Sequence, residues 1–189
     1  GEEVEIHGSG RTDAGVHSLG QVFHFHTECK METEEMMAYM NEYLPMDIAV
    51  LKVENVHERF HSRLNVKSKT YCYHIWNSPV PNVFERKYSY QIPEKLDVDR
   101  MREAAGYLIG AHDFKCFCTN KRMKKSTVRI IESVQFEEDG DMLKIRYTGN
   151  GFLYNMVRIM TGTLIEVGKA ERKPEDMIKI LESLNREEA

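Results

Sequence analysis

The stretch VRIIESVQFEEDGDMLKIRYTGNGFLYNMVRIMTGTLIEVG, from Val128 to Gly168, decides the fold class. Its first part reads as two strands, Val128 to Phe136 and Met142 to Tyr147, joined as a hairpin around Asp139-Gly140, a pair of residues that turns readily. Its last part changes period: Phe152 to Val167 is an apolar helix. Working outward, Pro174 to Leu184 reads as a further helix with the proline near its start. On the other side, Asp97 to Ile109 is helical, with Met101, Ala104, Ala105, Leu108 and Ile109 along one side. Thr70 to Trp76 and Ile48 to Val56 read as strands, and Asn77 to Pro81 breaks the chain between elements. Thr33 to Tyr43 has Met36, Met37, Met40 and Tyr43 or Leu44 at helical spacing, with Thr33 as candidate cap and Leu44-Pro45 as its end. Glu3 to His7 and Gln21 to His26 alternate as half-buried strands do. Strands and helices mixed without regular βαβ alternation point to an α+β fold, with antiparallel sheet and helices packed on one side.

The chain has 189 residues, enough for one domain or two small halves sharing a core. At 41% hydrophobic and 30% charged residues it needs neither disulfides nor a metal to fold. The net charge of −4 excludes a globally basic nucleic-acid binder. Charge is nevertheless segregated. Lys115, Lys121, Arg122, Lys124, Lys125 and Arg129 fall in one stretch with no acid, and Arg59, Arg63, Lys67 and Lys69 in another with only Glu58. Such clusters can bind phosphates locally, or can be two solvated loops. Cys29, Cys72, Cys116 and Cys118 form no C-x-x-C pair, which favours reduced thiols over zinc ligands. No window approaches 18 uninterrupted apolar residues, so no transmembrane helix is expected. The chain opens on Gly1, directly into a strand-like run, which suggests a piece of a longer protein.

Four groups of residues could carry chemistry. Asp13 sits between two strands among Gly8, Gly10, Ala14 and Gly15, small neighbours that let a ligand approach the backbone. Arg11 lies two residues away, and an arginine within reach favours an ionised carboxylate, which can act as nucleophile or base. The plainer reading is a turn, which Asp and Gly favour for local reasons. Arg158 stands in the apolar helix on the same face as Tyr154; if buried it needs an anion, and if marginal it snorkels to water. Tyr71 and Tyr73 share a strand face that could stack a base or simply belong to the sheet core. His24 and His26 share one strand face, with His7 and His17 nearby in sequence, and invite a metal, but nothing supplies a convincing third ligand, and no metal is expected.

Taken in order, several motifs resemble the TruA family of tRNA pseudouridine synthases. They are Gly10-Arg11-Thr12-Asp13-Ala14-Gly15-Val16-His17 with Gly20-Gln21-Val22, Leu44-Pro45 with Asp47-Ile48-Ala49-Val50, and Phe60-His61-Ser62-Arg63. Lys69-Thr70-Tyr71-Cys72-Tyr73, His112-Asp113-Phe114, Asn150 to Arg158 and Gly162-Thr163-Leu164 complete the set. The resemblance implies two ferredoxin-like (RRM-like) halves, here residues 1–80 and 81–189, whose antiparallel sheets join around a central cleft. It implies a cytoplasmic homodimer that isomerises uridine to pseudouridine in the tRNA anticodon stem-loop, at tRNA positions 38, 39 and 40, without cofactor or metal. Asp13 matches the essential aspartate. By the same resemblance Tyr71 packs on the flipped base, Arg158 pairs with Asp13, Arg11 holds the flipped nucleotide's place, and Leu153 belongs to the substrate site. Arg63 and the loop Lys121, Arg122, Lys124 and Lys125 would meet the RNA backbone. The family's first strand and helix and its last strand are missing here, so a non-catalytic RNA-binding fragment is the alternative expectation.

Overall fold

The computed structural model describes residues 2–120 and 123–189. The chain forms two compact units, Gly1–Val66 and Lys67–Ala189.

In the first unit, strands β1 (His7–Gly8) and β2 (Phe23–His24) pair antiparallel, with His7 opposite His24 and Gly8 opposite Phe23. β2 lies inside the expected run Gln21 to His26, whereas β1 shares only His7 with the expected run Glu3 to His7, whose other residues form no strand. Helix α1 (Thr33–Tyr43) has the expected bounds. Its cap does not: Glu32 is the N-cap, and the Thr33 hydroxyl turns to Glu34 instead. Ile48 to Val56, expected as a strand, forms none among the described residues.

The second unit is built on a five-stranded sheet in the order β4-β3-β7-β6-β5. Its strands are β3 (Lys69–Asn77), β4 (Tyr90–Ile92), β5 (Gly110–Asp113), β6 (Val128–Asp139) and β7 (Met142–Gly149). The hairpin β6–β7 turns at Gly140, whose φ of 57° suits a residue without a Cβ. The sheet is mixed rather than purely antiparallel, because β4 runs parallel to β3. The α+β class stands: helices α2 (Val98–Gly106), α3 (Met156–Gly168) and α4 (Asp176–Ser183) complete the unit.

The period of two decides which face is buried. Leu143, Ile145 and Tyr147 of β7, with Ile75 of β3, are buried. The alternate residues Lys144, Arg146, Cys72 and His74 are half-buried or exposed, and Glu137 of β6 accepts from Lys144 and Arg146 at 3.5 and 3.0 Å. On the buried face, the Tyr147 hydroxyl meets Thr161 Oγ1 at 2.8 Å and ties β7 to α3. Helix α2 meets α3 closely at Gly168, where an added Cβ would lie 2.7 Å from Met101 Sδ. All the buried hydrophobic residues among those described lie in this second unit.

Candidate functional site

The Asp13 loop grows out of the β1–β2 pair. Ser9 donates its N–H to Val22 O at 2.8 Å, extending the pairing one step, and Gln21 Nε2 donates to Gly10 O at 2.6 Å across the loop base. Val16 then donates its N–H to Asp13 O at 3.1 Å, with Gly15 at φ +77°. This is a tight turn with its third residue in the left-handed region, which is why glycine stands there. Asp13 therefore occupies the first position of a real turn. The local reading of this aspartate holds, and the turn fixes the backbone on which its carboxylate is carried. Asp13 is half-buried and Arg11 exposed. Arg63 is exposed too, its N–H donated to His61 Nδ1 at 3.2 Å.

In the second unit the Gly149 to Asn155 connection carries several candidates. Gly149 has no room for a side chain: a Cβ would lie 2.4 Å from Ile130 O. Asn150 Oδ1 accepts from Ile130 N–H at 3.0 Å, and Gly151 turns beneath Arg129. Phe152 meets Tyr71 edge-on with ring centroids 5.1 Å apart. Tyr71 and Tyr73 are half-buried on the helix-covered face of β3, so they pack with the sheet and keep part of each ring accessible. Leu153 is a core residue, 6% exposed.

Asn155 takes a left-handed conformation, φ 60°, as the residue before α3, and its Nδ2 donates to Thr119 Oγ1 at 3.0 Å. The helix therefore starts at Met156, four residues later than the apolar run alone suggests. Arg158 lies in its first turn and is exposed, which removes the premise that a buried guanidinium there demands an anion. Its charge still reaches the sheet. Burial pushes the Tyr73 hydroxyl's pKa up, Arg158 acts in the opposite direction, and Tyr90 adds a smaller upward push. Arg158 also lines an open cavity of about 410 Å³ with Thr119, Asn155, Ile159 and Gly162. Phe152 and Asn155 were read from sequence only as members of the Asn150 to Arg158 motif, and Thr119 not at all; the signal for the connection was the glycine on either side of Asn150, which marks a chain that must turn tightly.

Of the basic loop, Lys124 and Lys125 are exposed, while Lys121 and Arg122 lie outside the described residues. Arg129 closes the loop, donating to Ser126 O at 3.0 Å and Val128 O at 2.6 Å. The histidines do gather, His24 lying 4.7 Å from His61 and 5.0 Å from His7 by ring centroid. Among the described residues, however, no group of three His, Cys, Asp or Glu side chains is placed to hold a metal. The four cysteines are free thiols, and burial pushes the Cys116 thiol up to about 11.

The first unit thus carries an aspartate on a small-residue turn, and the second carries tyrosines on its sheet and an arginine at the start of a helix. The comparisons give the class of protein. The profile of the tRNA pseudouridine synthase family matches residues 1–65 and 104–189, and the chain belongs to that family. The tRNA pseudouridine synthase A of Bacillus sp. (strain KSM-64) is 49% identical over 189 residues, all of this chain and 78% of the relative. The tRNA pseudouridine synthase A 2 of Bacillus anthracis is 48% identical over 186 residues, 98% of this chain and 76% of the relative. The tRNA pseudouridine synthase A of Brevibacillus brevis is 44% identical over the whole chain, again 78% of the relative. Asp13, Arg11, Arg63, Leu153 and Arg158 fall within the profile's matched residues. Tyr71 lies between the two stretches and is covered only by the relatives. No helix among the described residues is long and apolar enough to cross a membrane.

Proposed function

We propose that this protein isomerises uridine to pseudouridine in the anticodon stem-loop of tRNA, with Asp13 as the catalytic carboxylate. The observation that carries the reading is the Asp13 turn itself, a family motif whose backbone is pinned by hydrogen bonds at both ends. To reach the glycosidic bond, the enzyme must take the target nucleotide out of its stack. Asp13 then breaks that bond, the freed base turns and rejoins the sugar through a ring carbon, and the proton lost from that carbon is balanced by one gained at the freed ring nitrogen, so the product is an isomer. Tyr71, backed by Phe152, packs on the flipped base. Arg158, Arg11 and Leu153 bind the substrate, Arg11 by holding the place of the flipped nucleotide. Arg63, Lys124 and Lys125, with Lys121 and Arg122, contact phosphates and supply affinity that falls with salt. The reaction needs no cofactor or metal, since the leaving base is also the incoming group. The protein acts in the cytoplasm as a homodimer of chains, each with two ferredoxin-like halves.

The test is pseudouridine formation on an unmodified tRNA with uridine in the 3′ anticodon stem, mapped by carbodiimide adducts and primer-extension stops. Stops at positions 38, 39 or 40 with the native chain, absent with Asp13→Ala, are expected. Turnover by Asp13→Ala overturns the assignment of Asp13. Salt-sensitive tRNA binding with no turnover by the native chain identifies a binding fragment instead.

A further inference from the structure

The segment Phe60 to Arg63 and the strands β1 and β2 meet at one buried hydroxyl. Ser62 is 2% exposed, in a unit that otherwise buries little. Its Oγ–H donates to His7 O at 2.6 Å and its backbone N–H donates to His24 Nδ1 at 3.2 Å, while Oγ also lies 3.0 Å from that nitrogen. Three pieces of the proposed machinery therefore share one junction. His7 leads into the Asp13 loop, His24 follows it on the paired strand, and Arg63 is the next residue after Ser62.

The hydrogen bonds of the junction depend on the protonation state of His24. Accepting the Ser62 N–H requires the Nδ1 lone pair, which places the proton of a neutral ring on Nε2. A proton on Nδ1 would turn that nitrogen into a donor toward Ser62 Oγ at 3.0 Å and release the backbone N–H of this buried residue. It would also add a cation to a crowded set of imidazoles: His61 at 4.7 Å, His7 at 5.0 Å and His26 at 6.0 Å by ring centroid. The carboxylate facing this set is Glu5, 3.6 Å from His7 Nε2, and Phe60 closes one side edge-on at 6.0 Å. Burial, then His61, His7 and His26, hold the His24 pKa below the ordinary histidine value, against a smaller opposite effect of the His7 backbone.

We propose that neutral His24 is a positioning residue for the Asp13 loop, holding the Phe60–Arg63 segment onto the strands that carry the loop through its Nδ1 acceptor. The proposal rests on the reading of Asp13 as the catalytic carboxylate. Misplacing a reacting group by about 1 Å can cost about 100-fold in rate, so loss of the junction belongs in kcat more than in KM.

The experiment is steady-state turnover of unmodified tRNA by the full chain across the acid and neutral range. It compares the native protein with His24→Asn, which keeps an acceptor near Nδ1, with His24→Ala, and with Asp13→Ala. Expected are a fall in kcat of about tenfold or more for His24→Ala with KM changed far less, and recovery of most of kcat in His24→Asn. The native acid limb, below the ordinary histidine pKa of about 6.5, should be absent in His24→Asn. Native kcat in a folded His24→Ala, or an unchanged acid limb in His24→Asn, overturns the proposal. If His24→Ala does not fold, the acid limb of His24→Asn alone decides. Turnover by Asp13→Ala identifies a failure of the catalytic reading. An inactive Asp13→Ala beside a normal His24→Ala overturns the positioning role only.

Discussion

Exposed in the first turn of α3, the Arg158 side chain is not part of the core on which the second unit rests. Arg158→Met should therefore leave the melting temperature nearly unchanged, within about 0.5 kcal/mol of native stability. If Arg158 binds the substrate, turnover should fall by about 100-fold or more, the scale for losing one group that stabilises developing charge. Thermal melting and pseudouridine formation on the same preparation would separate the two effects. Normal turnover would remove Arg158 from the site. Gly15 makes the complementary case. An added Cβ there meets nothing within 4 Å, so Gly15→Ala is penalised by its φ of +77° alone, by about 1–2 kcal/mol of local strain. The Asp13–Val16 turn should reopen, and turnover should drop with no loss of binding by the basic residues, as filter binding would report. Asp13 and Gly15 were legible in the sequence because turn chemistry is local. The exposure of Arg158 was not legible, because it depends on where α3 begins, and that is set by Asn155 bonding to Thr119, a partner 36 residues away.

At the scale of elements, the readable parts were those whose periodicity is long and whose partners are sequence neighbours. The β6–β7 hairpin, β3, α1 and α2 all came through within a few residues. The two missed strands, β4 and β5, have three and four residues, too few to show a period. The false strand is more instructive. Ile48, Leu51 and Val56 supply apolar residues but remain exposed, and the backbone groups of Val50 are taken by a side chain instead. Asn41 on α1 accepts the Val50 N–H at 2.7 Å and donates to Val50 O at 2.9 Å, doing with one amide what a neighbouring strand would do. Asn77 plays a similar part at the end of β3. Its Nδ2 donates to Ile92 O and Glu94 O at 3.0 and 2.7 Å, and its Oδ1 accepts from Leu96 N–H at 3.1 Å. It thereby pins the chain that carries β4 alongside β3. Asn77→Ala should cost about 2–3 kcal/mol, three bonds of about 1 kcal/mol each, read as a lower denaturation midpoint with an unchanged slope. A change under about 0.5 kcal/mol would mean that β4 is held by its backbone pairing alone.

At the scale of the whole molecule, the two units differ in what holds them. The second unit contains the hydrophobic core, including Ile75, Met101, Phe114, Ile145 and Leu164, all fully buried. The first has a buried serine, a histidine cluster and a helix with no buried residue among those described. Burial is the main stabilising term, so local opening should cost much less in the first unit. Amide exchange should accordingly be fast across α1 and the β1–β2 pair, and slow in β7 and α3. Acid should widen the gap. The folded pKa of His24 is depressed, so the unfolded first unit binds more protons than the folded one once pH falls below the ordinary histidine value. Stability from this source is complete above about pH 6.5 and is lost progressively as pH falls toward the folded value. Exposed Cys29 in the first unit and buried Cys116 in the second permit a control in one sample. Limited proteolysis from neutral to mildly acid pH, with an acid-tolerant protease calibrated on an unfolded substrate, should cut the first unit faster as pH falls. Over the same range Cys116 should stay unlabelled by a thiol reagent. In His24→Asn the proteolysis of the first unit should lose most of its pH dependence. Equal acid sensitivity in that variant would mean that His24 is not its source.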